Sequence, residues 1–519
     1  SRWIARAGWV RRAGVSERTR AGPGDPGLIT LRAVEVLRQA DLVLYDGLVN
    51  PLLLRLTSGR CERTSRIRRA GAAIVPQEEI NRRLIEAARQ GLRVVRLKGG
   101  DPCIFGRGGE EAEALRQAGI PFEIIPGITA ATAAAEYSGI SFTDRNASSA
   151  VAFVTAHEDP TRDGTRLCFR ALAAFPGTLV FYMGLNRLSE LCSRLQEQGL
   201  SGATACAVIC RATLPTQQIL TGTLATLPEL AAGARLQPPS LVIVGDCVMQ
   251  RSGLSWYEQL PFFGVSIGVP RAEDQSGVVL EQIIRGGGEP VPMPLLEILA
   301  VEGVAAEQVQ EQLRGLSGVD WVIFTSANGV REFFSQLRAA GRDVRALGGV
   351  RIACVGSSTA ASLAERGIVA DVVPEQFRAE SLVEALGSAV TGRTVLWVRG
   401  SRGRDVLPER LSAAGAEVRQ LVVYRNEDAA SLPEEIPTRI REGRLDWICL
   451  SSPAMARRLA ELLRESGLWP LPQSTRLASI SGLTSGAAAE AGLQISAEAT
   501  ESTWDGLLEA VRAAVGRAD

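Results

Sequence analysis

Short apolar runs alternate with helically spaced apolar positions along most of the chain. Leu42-Val43-Leu44-Tyr45, Val94-Val95-Arg96-Leu97, Phe122 to Ile125, Val151 to Thr155, Thr178 to Met183 and Leu241 to Val244 read as strands. Between them, Leu28 to Ala40, Gln77 to Gln90, Glu110 to Ala118, Thr129 to Tyr137 and Leu188 to Gln198 carry helical spacing. Strands alternating with helices predict α/β layers. Residues 249–263 show no periodicity and read as a linker, and a new strand–helix series opens at Val265. The N-terminus departs from the pattern. Val15 to Arg20 is too polar for a buried parallel strand. Either Trp3 to Val10 supplies the first strand through a longer connection, or that strand is missing.

The second series repeats itself. Trp321 to Ser326 answers to Trp447 to Ser452, 126 residues on. Val355 to Gly367 answers to Ile480 to Gly492, and Ser381 to Leu386 to Gly506 to Val511, each 125 residues on. A period this long with strand–helix content predicts two similar α/β lobes and not a solenoid. Such lobes bind ligands at the carboxyl ends of their strands, here in the cleft between them.

Composition narrows the function. A chain of 519 residues predicts about three domains. With 57 basic and 57 acidic residues the net charge is zero, which argues against a nucleic-acid partner. An acidic substrate would need a local basic patch. Nine cysteines without CxxC or zinc-type spacing read as reduced thiols in a cytoplasmic protein. His157 is the single histidine, so a His-based triad or multi-His metal site is ruled out, and no metal is expected. His157 itself reads as structural before catalytic. No apolar run reaches the ~18 residues of a membrane span, and residues 1–20 are basic without a signal-peptide core.

The most informative stretch is Val94 to Glu111, VVRLKGGDPCIFGRGGEE. Strand, glycine-rich loop and helix start present backbone N–H groups to a ligand. Asp101 inside that loop disfavours a plain phosphate and suits hydroxyls or an amine, as in a nucleoside; a ligand-free tight turn is the alternative. Gly22 to Gly27 also fits GxGxxG, but two prolines occupy it and no clear strand precedes it, so a dinucleotide site is rejected.

With Pro76-Gln77-Glu78-Glu79-Ile80-Asn81 before it and Ile125-Pro126-Gly127-Ile128-Thr129-Ala130-Ala131 after it, this stretch closely resembles the uroporphyrinogen-III C-methyltransferases over residues 21 to 248. The resemblance implies the two-lobed tetrapyrrole methylase fold, its lobes meeting near residues 125–130 with S-adenosylmethionine (SAM) between them. The implied SAM positions are Pro23, Gly99, Gly100, Asp101, Ile104, Thr129, Ala130, Met183 and Ala212. Alone, Met183 would read as core and Ala212 as nothing. Asp46, ending a strand, takes the family's proton-acceptor position; without the resemblance it reads equally as a turn or cap aspartate. Arg68, in Ile67-Arg68-Arg69-Ala70-Gly71, stands where the family has its proton-donor lysine. An arginine stays charged but binds carboxylates in two-pronged fashion. The run Arg60, Arg63, Arg66, Arg68, Arg69 is expected to dock a polycarboxylate, with Arg69 on the substrate. The family also implies a homodimer through this domain.

The repeated half resembles uroporphyrinogen-III synthase. The resemblance rests on Phe324 to Val330, Cys354 to Ala360, Arg399-Gly400, Arg404 to Pro408, Val423-Tyr424-Arg425 and Ser451-Ser452-Pro453. It implies a two-lobed fold with an internal repeat and no metal or cofactor. Its substrate, hydroxymethylbilane, loses water and flips one ring before closure, chemistry largely intrinsic to the substrate once its ends are held. Tyr424 would assist loss of the hydroxyl. Thr359 and Thr484 hold equivalent repeat positions, where they would bind substrate, cap the following helices, or both.

The expected layout is therefore a methyltransferase at 1–248, a linker at 249–263 and a synthase at 264–519. The expected activity is closure of hydroxymethylbilane to uroporphyrinogen III and its double methylation to precorrin-2, toward siroheme or cobalamin. The rival is an active synthase with an impaired or non-catalytic tetrapyrrole-binding or dimerisation methylase half, suggested by the polar N-terminus and Arg68.

Overall fold

The computed structural model describes residues 16–20, 24–64, 75–146, 148–156, 167–272, 276–376, 379–402 and 406–516. Two units, Ser1–Ser266 with Gln282–Glu289 and Ile267–Glu281 with Pro290–Asp519, account for four five-stranded sheets.

The first sheet holds β1 (Ser16–Arg20), β2 (Leu42–Tyr45), β3 (Arg60–Arg63), β4 (Val94–Lys98) and β5 (Phe122–Ile124), in the order β3-β2-β4-β1-β5, all parallel. β2 is buried along nearly all of its length, which is why it reads as a near-continuous apolar run, and β4 is buried throughout although it carries Arg96 and Lys98. The helix Leu31–Gln39 covers one face through Ala33, Val36 and Leu37. Gln77–Arg89 covers the other through Ile80 and Leu84.

β1 corrects the reading of the N-terminus. Ser16–Arg20 pairs in register with Val94–Lys98, and Ser16–Arg18 with Phe122–Ile124. Two flanking strands supply the ladder through the backbone, which side-chain polarity does not alter. The neighbouring β4 already carries two buried cations, Arg96 and Lys98, so this part of the sheet is not an apolar environment.

The second sheet holds β6 (Val151–Thr155), β7 (Thr178–Tyr182), β8 (Ala205–Cys210), β9 (Gln218–Thr223) and β10 (Ser240–Val244) in the order β6-β7-β10-β8-β9. β6 and β7 are parallel, and the other pairs antiparallel. The segment expected as a linker is folded. Asp246–Gln250 and Tyr257–Gln259 form 3-10 turns around the short helix Arg251–Leu254, and Tyr257 is 4% exposed.

The other strands are β11 (Ser266–Val269), β12 (Glu289–Pro292), β13 (Leu296–Ala300), β14 (Trp321–Phe324), β15 (Arg351–Cys354), β16 (Thr394–Gly400), β17 (Glu417–Asp428), β18 (Trp447–Leu450), β19 (Arg476–Ser479) and β20 (Ala497–Glu498). They form sheets β12-β11-β18-β19-β20 and β13-β17-β16-β14-β15. The internal repeat falls across these sheets, β14 matching β18, and helix Ser357–Ala364 matching Gly482–Glu490. The long β17 leaves β16 and runs on antiparallel to β13, Tyr424–Asp428 against Ala300–Leu296.

Candidate active site

In the first unit the loops at the carboxyl ends of β4 and β5 are joined by one side chain. Asp101 Oδ1 accepts from Cys103 N at 2.8 Å and Oδ2 from Gly127 N at 3.1 Å. Each oxygen keeps a further lone pair for a hydroxyl or ammonium. Before it, Gly100 has φ +88°, and a Cβ on Gly99 would stand 3.1 Å from Leu48 Cβ, so the backbone lies close against the turn after β2.

Ile104, Ala130 and Ala212 share one apolar surface, built on Tyr182, Phe142 and Ile209. The Tyr182 hydroxyl lies 2.6 Å from Thr129 Oγ1 and accepts from Ala131 N at 3.1 Å. It thereby satisfies an N-terminal amide of helix Ala130–Ser138 that Thr129 does not cap itself. Met183 follows on, 49% exposed and with φ +58°.

The first loop is stitched to the loop between β8 and β9. Asp25 N donates to Thr213 Oγ1 at 3.0 Å, and Asp25 Oδ2 accepts from Tyr137 Oη at 2.6 Å. Gly24 carries no side chain because a Cβ there would fall 2.5 Å from Thr213 Oγ1. Among the described residues the left-handed non-glycines are Phe105, Arg107, Met183, Arg211 and Thr213, all in these loops. Each costs on the order of 1–3 kcal/mol, and strain of this kind collects at ligand sites. Of the SAM positions, Ile104, Ala130 and Ala212 share the Tyr182 surface, Thr129 is bonded to it and Met183 follows it in the chain, while Asp101, after Gly99 and Gly100, is tied to Gly127. Pro23 lies outside the described residues.

Asp46 ends β2, its N–H donating to Leu97 O at 3.2 Å and its Oδ1 accepting from Leu48 N at 3.0 Å. The turn role is therefore present, beside the glycine loop. Arg68, Arg69 and His157 lie outside the described residues. Arg60 and Arg63 lie on the edge strand β3, where Arg60 pairs with Glu62, itself held by Arg83.

Behind Asp46 lies a buried ionic cluster that sequence reasoning missed. Glu111 Oε1 accepts from Arg96 Nε at 3.3 Å, Lys98 Nζ at 3.1 Å and Gln77 Nε2 at 3.1 Å. Asn81 Oδ1 accepts from the same Gln77 amide. Burial and the Arg96 charge push the Lys98 amine down to about 8, against the pull of Glu111 and Asp46. Burial opposes ionisation of Glu111, but Arg96 and Lys98 outweigh it and hold the carboxyl below its usual range. The signal in the sequence was Arg96 and Lys98 two apart in an apolar strand, which puts both on one face.

In the second unit Tyr424 is 7% exposed on β17, its hydroxyl 3.1 Å from Ser326 Oγ. Ser326 in turn caps helix Ala327–Ala339 through Gly329 N. The ring lies 2.6 Å from where a Gly400 Cβ would be, at the register shift where β17 leaves β16. Thr359 and Thr484 are buried at 3% and 0% exposure, one in each lobe. Neither caps its helix, because Gly356 and Ser481 occupy the cap positions. Thr484 Oγ1 lies 3.4 Å from Ser481 Oγ. The capping expectation is corrected for both.

Among the described residues no group of three or more His, Cys, Asp or Glu is placed to hold a metal, and no helix is long and apolar enough to cross a membrane.

These features agree with comparison to known proteins. Residues 21–228 match the family model of the tetrapyrrole (corrin/porphyrin) methylases, and residues 278–509 that of uroporphyrinogen-III synthase HemD. The chain is thus a methylase fused to a synthase of tetrapyrrole biosynthesis. It belongs to the family of the porphyrin biosynthesis protein HemD of Ruminiclostridium josui, to which it is 34% identical over 83% of this chain and 85% of that one. The siroheme synthase of Pseudomonas entomophila is 48% identical over 46% of this chain, a match spanning 51% of that protein. Among solved structures, uroporphyrin-III C-methyl transferase from Thermus thermophilus, complexed with S-adenyl homocysteine, is 35% identical over 46% of this chain and 99% of that one, with a TM-score of 0.40.

Proposed function

We propose that the second unit closes hydroxymethylbilane to uroporphyrinogen III and that the first methylates this product twice, with SAM as donor, to precorrin-2. The observation that carries the methylase reading is the apolar surface that Ile104, Ala130 and Ala212 share around Tyr182, with the Asp101 carboxylate bound to Gly127 N two residues before Thr129. Such an arrangement fits SAM: an apolar surface for a flat ring, a carboxylate with spare acceptor capacity for hydroxyls or the amine, and glycines that let the ligand approach the backbone. Pro23, Gly99, Gly100, Thr129 and Met183 complete the set. When bound, SAM supplies an electrophilic methyl group.

The chain's own residues do the rest. Asp101 orients the donor, and the Tyr182 surface excludes water from it. Asp46 takes the proton released from the methylated pyrrole carbon. Arg68 and Arg69 anchor substrate carboxylates in two-pronged contacts. In the synthase, Tyr424 assists departure of the hydroxyl, Ser326 aligns its phenol, and Thr359 and Thr484, buried near the starts of equivalent helices, back the substrate cleft from the two lobes. The methylase half is expected to pair as a homodimer, and its product to feed siroheme or cobalamin synthesis. With β1 in place beside β4, one ground for an impaired methylase half is removed.

Asp101→Ala is expected to weaken SAM binding at least tenfold, as the loss of a charge-assisted bond worth about 1.5–3 kcal/mol requires. It also leaves Cys103 N and Gly127 N without the carboxylate that accepts from both. Calorimetric titration with SAM checks this; an unchanged affinity would contradict the assignment.

A further inference from the structure

We infer that Tyr257 and Glu258, on the segment that follows the last strand of the first unit, are positioning residues for the SAM loop carrying Ala212. The inference rests on the methylase reading above.

Ala212 lies between two left-handed residues, Arg211 at φ +50° and Thr213 at φ +69°. For a β-branched residue such as Thr213 this is an outlier that the surroundings must impose. Thr213 is 1% exposed and is held at three points. Its carbonyl accepts from Tyr257 Oη at 3.1 Å, its N–H donates to Gln217 Oε1 at 3.0 Å, and its Oγ1 accepts from Asp25 N at 3.0 Å. Gln217, 5% exposed, is itself aimed from behind. Its amide donates to Glu258 Oε1 at 3.1 Å and to Tyr137 O at 3.0 Å. Glu258 is fixed by Arg251 at 3.0 Å and Ser255 Oγ at 2.7 Å. One of the three constraints on Thr213 therefore comes directly from residues 251–258, and a second is aimed by them through Gln217.

The same segment packs on Tyr137, in the helix that begins at Ala130. The Tyr257 ring lies 4.8 Å from that of Tyr137, whose hydroxyl donates to Asp25 Oδ2 at 2.6 Å. Trp256 and Phe263 complete the aromatic group at 5.5 and 5.4 Å from Tyr257. Burial and the nearby Asp25 push both phenols above their ordinary range, so both remain donors at any working pH. Removing the Tyr257 hydroxyl leaves a buried carbonyl unpaired on a strained residue, and the peptide next to Ala212 is then free to turn.

The test uses the full chain. Tyr257→Phe keeps the ring and deletes one bond, so it should raise the Kd for SAM about three- to tenfold. Methyl transfer at saturating SAM should stay within about twofold, because no group in contact with the reacting atoms changes. Glu258→Ala should act in the same direction. Met249→Ala, at an exposed residue of the same segment, should leave the Kd unchanged. Unmodified protein and Tyr257→Phe binding SAM equally would overturn the inference alone, as would equal weakening by Met249→Ala. An unmodified protein that binds no SAM would overturn the reading of the site, and this inference with it.

Discussion

Asp46→Asn is expected to slow methyl transfer by about 10²–10⁴-fold, the usual worth of a positioned proton acceptor. The asparagine variant separates the two roles of the residue. Its Oδ1 can still accept from Leu48 N, so the turn after β2 is kept. Its amide cannot take a proton. Asp46→Ala loses the turn bond as well and should be no faster. The residue follows β2 with its N–H bound to Leu97 O, just before the glycine loop. SAM affinity should be preserved in Asp46→Asn, since Asp101 and the Tyr182 surface are untouched, and the synthase rate should not move. Single-turnover transfer from labelled SAM reads the effect. A rate near that of the unmodified protein would reduce Asp46 to a turn residue.

Glu111→Ala is expected to destabilise the first unit by about 3–5 kcal/mol, the cost of leaving buried charge without its partner. Arg96 is 1% exposed and Lys98 8%, and Glu111 is the carboxylate bonded to both. For a unit of this size each kcal/mol moves the melting point by about 2–4 °C, so the transition should fall by roughly 10 °C. The pH dependence has a definite sign. The Glu111 carboxyl is held below its unfolded value, so its contribution is present at neutral pH and lost as pH falls through the folded value. Lys98, lowered to about 8, acts oppositely: the cost of burying its charge is felt below pH 8 and is relieved as pH rises from there toward the ordinary amine range. Scanning calorimetry between acid and mildly alkaline pH checks both. A variant melting within a few degrees of the parent would mean that the cluster is wetter than its burial indicates.

β2 was legible because its side chains are buried along nearly the whole element, and it was read with the bounds it has. β6, of mixed burial, was read with its bounds from its β-branched and aromatic run. β1 was rejected because Ser16–Arg20 is polar, yet its place is fixed by ladders from β4 and β5 that no single segment encodes. The small-residue strand Ala205–Cys210 and its partner β9 went unread, and with them the hairpin loop that carries Thr213. At the site, Asp101 was legible because an acid inside a glycine loop is odd on its face. Tyr182 was not, since it looks like any strand aromatic and meets Thr129 from 53 positions away. Tyr257 sits in a stretch without periodicity because short 3-10 turns have none to show. The threonines of the repeat were found by their spacing, but the caps proved to be Gly356 and Ser481, a detail of backbone geometry and not of residue type.

The central claim, that one chain both makes and methylates its tetrapyrrole, is tested by incubating the full-length protein with hydroxymethylbilane, with and without methyl-labelled SAM. The account predicts the type III isomer of uroporphyrinogen without SAM. With SAM it predicts the absorption spectrum of precorrin-2 and two labelled methyl groups on each tetrapyrrole. Formation of the type I isomer alone, or a type III product that takes up no label, would contradict it.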